Sequence, residues 1–70
     1  MRGVVTKMFA DKGFGFARGE DGVSRFFHAS WVEWGKFDML QVGTTVDFIP
    51  EEGEKGAQAK GVSPVLGDDE

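Results

Sequence analysis

The chain has 70 residues, 40% hydrophobic and 29% charged, with no cysteine, one histidine and a formal net charge of −4. That length supports one domain, and the composition excludes disulfides and any metal site built on His and Cys ligands. The negative balance excludes a binder that holds nucleic acid by bulk charge alone, and no apolar run is long enough for a membrane-spanning helix. The first residues, "MRGVVTKMFADKG", lack the apolar core of a signal peptide, so a cytoplasmic protein without a cofactor is expected. Six of the twelve acids sit in "PEEGEKG" and the terminal "GDDE". These read as a solvated turn and a frayed tail, and the chain through Phe48 is close to charge-balanced.

Short β-rich segments alternate with turn signals along the chain. The pattern predicts five strands, over 3–9, 13–18, 23–29, 45–50 and 58–63. "GEDG" joins the second and third, its Asp-Gly pair tolerating positive φ. "SWVEWGKFDMLQVGT" is a long connection with one helical turn near 30–33, capped by Ser30. "EEGEKG" turns the chain between the last two strands. The fold class is therefore all-β, a small five-stranded antiparallel barrel spanning 1–66, with an acidic tail at 67–70. Closure removes the exposed strand edges that endanger β-proteins. Alternation nominates Val5, Ala17, Phe27, Val46, Ala59 and Val62 for the interior, with Val32 and Leu40 from the connection.

These residues are mostly small, and seven phenylalanines and two tryptophans do not all fit among them. The stretch "KGFGFARGEDGVSRFFHAS" shows where the surplus goes. Residues two apart in a strand share a face, so Phe14 and Phe16 point one way while Gly15 and Ala17 point the other. In the third strand Phe26 and His28 share a face, opposite Phe27. Pairing through "GEDG" brings Phe14, Phe16, Phe26 and His28 together. This face is either core or surface. The small residues behind it and the polar His28 favour surface.

An exposed ring-covered face implies a function. Rings two apart along a strand are about 6.6 Å apart, whereas stacked duplex bases are about 3.4 Å apart. Such a platform suits splayed bases of a single strand, at roughly 1–3 kcal/mol per base stacked. Lys7, Lys12 and Lys36 are candidate phosphate contacts. Trp34 extends the platform from the connection, whereas Trp31, beside Val32 on the helical turn, is expected to pack. His28 has no accompanying acid and nucleophile, so an enzyme is not expected. "GFG" has the spacing of neither dinucleotide-binding nor phosphate-binding loops. A different class of function also fits: a protein-interaction barrel that docks a partner on the ring face or the 31–37 loop.

"KGFGF" at 12–16 resembles the first ribonucleoprotein motif of the bacterial cold-shock proteins, and "RFFHAS" at 25–30 resembles their second. "KFDMLQVGTTVDF" and "KGAQAKGV" resemble later segments of that family, without gaps from about Gly3 to Val62. The resemblance implies an oligonucleotide/oligosaccharide-binding (OB) fold and binding of single-stranded RNA or DNA. It also implies an RNA chaperone or a cold-shock-type regulator of transcription or translation, away from membranes. A monomer is expected, with a dimer left open. By position, Lys12, Phe14, Phe16, Phe26, His28, Phe37 and Gln58 match the family's binding surface. The family's first-strand tryptophan is Lys7 here, Met8 stands where phenylalanine is usual, and Phe9 where asparagine is common. Ala29 replaces a phenylalanine, and Arg25 an apolar residue. Phe9 substitutes for the missing ring if the first strand bulges.

Overall fold

Five strands close into a barrel in the order β1-β2-β3-β5-β4. They are β1 (Arg2–Phe9), β2 (Phe14–Gly19), β3 (Ser24–His28), β4 (Thr45–Gly53) and β5 (Gly56–Pro64). The computed structural model describes residues 1–35, 37–54 and 56–65. Lys36 and the 67–70 tail lie outside the described residues, as does the side chain of Trp34. Among the described residues no helix is long and apolar enough to cross a membrane.

The OB-type barrel expected from the sequence is present, with one correction to its strand directions. Four neighbouring pairs are antiparallel, but β3 and β5 run parallel where Phe26 meets Gln58. A second parallel bridge joins Val32 to Val62. The reason is parity. An odd number of strands cannot alternate direction all the way around a closed ring, so one seam must be parallel. The long connection makes that seam possible by carrying the chain across the barrel end between β3 and β4.

Turn chemistry sets the hairpins. In the β2–β3 turn Gly22 has φ +81, which an L side chain adopts at a cost. Asp21 Oδ1 accepts the Val23 N–H at 3.1 Å beside it. The β4–β5 hairpin is longer than expected, because Glu51, Glu52 and Gly53 pair with Gln58, Ala57 and Gly56. The connection holds three 3-10 turns among the described residues, at Ala29–Trp31, Glu33–Gly35 and Phe37–Met39. The first is capped by His28 rather than Ser30: the imidazole accepts the Ser30 N–H.

The interior contains every residue nominated by alternation. Val5, Ala17, Phe27, Val46, Ala59 and Val62 are fully buried, joined by Val32 and Leu40. Phe37 and Phe48 are also buried there, and each buried ring contributes about 1.5–3 kcal/mol. Gly15 makes room for the largest of these side chains. A Cβ on it would stand 2.9 Å from Phe27 Cζ and 2.7 Å from the Lys7 carbonyl oxygen.

Arg25 occupies an inward position and is buried. It donates to both Asp21 carboxylate oxygens, at 3.0 and 2.8 Å, and its guanidinium lies 5.7 Å over the Phe48 ring. The hydrogen bond from Arg25, then that from Val23, holds the Asp21 carboxyl down at about 2. Among the described residues nothing accepts from Arg25 Nε. The arginine is thus tolerated by pairing and stacking at the end of the barrel, with its stem covering apolar surface.

Candidate nucleic-acid interface

The candidate face is built by register. Between Val5 and Lys7 the β1–β2 ladder shifts, the mark of a bulge at Thr6. A bulge adds one residue and flips the alternation beyond it. Thr6 and Lys7 both become exposed, Met8 packs against the core, and Phe9 turns to the outer face.

The register then aligns two rungs across three and four strands. Lys7 pairs with Phe16, Phe16 with Phe26, and Phe26 with Gln58. Phe9 pairs with Phe14, and Phe14 with His28. Residues directly opposite in a sheet share a face, so seven of the candidate residues come together by backbone pairing. Lys12 stands in the turn between the strands, exposed, its N–H bonded to the Phe9 carbonyl at 2.9 Å.

The rings form a continuous field. Centroids lie 4.9 Å apart for Phe9–Phe14, 5.5 Å for Phe14–Phe26, 5.9 Å for Phe16–Phe26 and 6.2 Å for Phe14–Phe16. The first two pairs are tilted and the last two are edge-on, geometries that ring quadrupoles favour. Each of these phenylalanines is half-buried. They shield one another and still offer area to a ligand. A recess lined by Phe16, Phe26, Gly56, Ala57 and Gln58 opens beside them.

His28 adds an oriented polar group. Its Nδ1 accepts the Ser30 N–H at 3.0 Å and lies 2.9 Å from the Ser30 hydroxyl. An acceptor Nδ1 needs its lone pair, so the neutral ring carries its proton on Nε2, a donor. The ring is exposed. The Ser30 pair caps a turn and is no nucleophile and base, because the Nδ1 lone pair is already engaged by the backbone. Among the described residues no carboxylate bonds the imidazole, and no group of His, Cys, Asp and Glu could hold a metal.

Phe37 requires a correction. It does not reach the platform: it is 7% exposed and meets Phe27 edge-on, with centroids 6.2 Å apart. The third 3-10 turn carries this ring into the core cluster, together with Leu40 and Val32. Conversely, Trp31, expected to pack, is half-buried and joins the ring field. Its indole meets Phe26 at 5.5 Å and 88° and lies 6.0 Å from His28. A signal for this was present: residues three apart eclipse in a 3-10 turn, which returns residue 31 to the side of residue 28.

A family model described as the 'Cold-shock' DNA-binding domain matches residues 1–65. The chain belongs to the cold-shock domain family. Membership carries nucleic-acid binding as its general activity, in a family that is not enzymatic. Curated relatives agree with it. Cold shock protein 2 of Lactiplantibacillus plantarum is 44% identical over 62 residues, covering 89% of this chain and 94% of the relative. The cold shock-like protein of Thermotoga maritima is 40% identical over 65 residues, covering 93% and 98%. The major cold shock protein of Streptococcus pyogenes serotype M1 is 39% identical over 62 residues, covering 89% and 92%. Among such relatives, this cold-shock domain presents its ring field through Phe9, Phe14, Phe16 and Phe26, with Lys7 beside them.

Proposed function

We propose that this cold-shock domain binds single-stranded RNA or DNA by stacking splayed bases on the ring face. The observation that carries the reading is the pair of rungs Lys7–Phe16–Phe26–Gln58 and Phe9–Phe14–His28. Their rings lie 4.9–6.2 Å apart. Duplex bases, about 3.4 Å apart and already stacked, cannot offer their faces to such a field. An unpaired strand can. Lys7 and Lys12 steady its phosphates, Gln58 meets a base edge, and His28 Nε2–H donates to a base or phosphate oxygen.

Stacking also reconciles binding with the net charge of −4. Each stacked base contributes about 1–3 kcal/mol whatever its sequence, and salt screens the distant acids within roughly 8 Å at physiological ionic strength. A protein that prefers unpaired bases shifts weak hairpins toward open strands, by no more than its differential affinity for the open form. This is the work of an RNA chaperone, or of a regulator acting on transcripts in the cytoplasm, and a monomer suffices for it.

The test is a titration of a labelled oligothymidine with wild-type protein and with the Phe14→Ala, Phe16→Ala double variant. The variant is expected to remain folded and to bind far more weakly. Unchanged affinity in the folded variant refutes stacking on this face. A wild-type protein that ignores single strands yet self-associates or captures a defined protein partner returns the reading to an interaction barrel.

A further inference from the structure

Trp31 stands at the end of the ring field, beyond Phe26, in the region where Ala29 offers no ring. Part of its half-buried indole packs against the core. Over the ring stands a charged group: Lys60 Nζ lies 4.3 Å from its centroid. Lys60 projects from β5, its side chain 35% exposed, and its ammonium is 3.9 Å from Glu51 Oε1.

Two features make this arrangement open to exchange. The lysine stem is long and flexible, and its ammonium is a hydrated point charge held by a cation–π contact and one long ion pair. The surface it covers is an indole, a large and strongly stacking ring, in edge contact with Phe26 of the platform. A nucleobase and an ammonium compete for the same face. A strand that supplies a base also supplies a phosphate for the displaced ammonium, so both partners of the contact find a replacement.

We infer that Trp31 is a base-stacking residue of this cold-shock domain and that Lys60 is its displaceable cover, turning to a phosphate when a base takes the indole. The inference rests on the single-strand reading above and adds one stacking position beyond Phe26. It assigns to the first 3-10 turn, which carries Trp31, a role in binding as well as in closing the barrel.

The test follows labelled oligothymidine by anisotropy across a salt series, with a thermal melt of each protein. Trp31→Ala is expected to weaken binding roughly 5- to 150-fold, the loss of one stacked base, and Trp31→Phe to recover most of it. Lys60→Met, which keeps the stem and removes the charge, is expected to flatten the dependence of log K on log salt by about 0.7, one phosphate contact. In a Trp34→Phe background the emission of Trp31 is expected to be quenched as the strand saturates. A Trp31 that only clamps the connection gives the opposite set: a lower melting temperature, wild-type affinity in the folded protein, an unchanged salt slope and unaltered emission. Should Trp31→Ala fail to fold, Trp31→Phe, Lys60→Met and the emission still decide. A wild-type protein that does not bind oligothymidine overturns the single-strand reading itself. Binding without any response at Trp31 or Lys60 overturns this inference alone.

Discussion

Gly15 and Phe27 meet across the β2–β3 pair at a separation that leaves no room for a methyl group. A Cβ at residue 15 would stand 2.9 Å from Phe27 Cζ and 2.7 Å from the Lys7 carbonyl oxygen. One of these neighbours is backbone and cannot yield cheaply. Gly15→Ala is therefore expected to destabilise the domain by about 1–3 kcal/mol, the range for overpacking a core. Urea denaturation measures it. A variant as stable as wild type would mean that Phe27 repacks freely and that the glycine is not needed by the interior.

Phe9 and Phe37 should separate binding from stability. Phe9→Ala removes a half-buried ring of the outer face, with an expected loss of about 1–3 kcal/mol per stacked base and a smaller change in melting. Phe37 is core, and truncation of a buried phenylalanine to alanine costs about 3–5 kcal/mol, enough to unfold much of a domain this small. Phe37→Leu is the usable variant: it is expected to melt lower and to bind as wild type. The opposite pattern, with Phe37→Leu weakening binding and Phe9→Ala neutral, would return Phe37 to the interface.

Lys7 lies in register with Phe16 on the ring face, so a ring placed there lands on the platform. Lys7→Trp is expected to exchange a phosphate contact for a stacking surface. Affinity at high salt rises, and the slope of log K against log salt flattens by about 0.7. Anisotropy at several salt concentrations reads both. A variant that binds more weakly at every salt concentration would show that the bulge does not present residue 7 to the strand.

The Asp21–Arg25 pair predicts a pH dependence. The folded-state carboxyl titrates at about 2, below its ordinary 3.8. A depressed carboxylate contributes stability that is fully present above the unfolded value and is lost as pH falls through the folded one. Wild-type protein should therefore exceed Asp21→Asn in stability by a constant margin above about pH 5. That margin should shrink between pH 3.8 and about 2. Denaturant midpoints for both proteins along this pH series provide the check. A margin that does not change with pH would deny the pairing a role in stability.

Much of the platform was legible because it depends on two local rules. Period two separates Phe14 and Phe16 from Gly15 and Ala17, and an Asp-Gly turn sets how β2 faces β3. The nominated core followed from the same alternation. It omitted Phe48, which the rule itself includes two residues after Val46. The connection was harder to read because it has no strand period. Its rings Trp31 and Phe37 exchanged their expected places: 3-10 geometry returns Trp31 to the side of His28, and the core takes Phe37 against Phe27.

By itself, then, the sequence determined the class of fold and the division of small and aromatic residues between two faces of a strand. Side-chain alternation and turn preference act within a few residues, so a local stretch is enough to read them. The tertiary structure alone decided the parallel β3–β5 seam, the bulge that turns Phe9 toward Phe14, the burial of Phe37 and the placing of Lys60 over Trp31. Each of these depends on closing a ring of five strands, and closure is a condition on the whole chain that no local stretch contains.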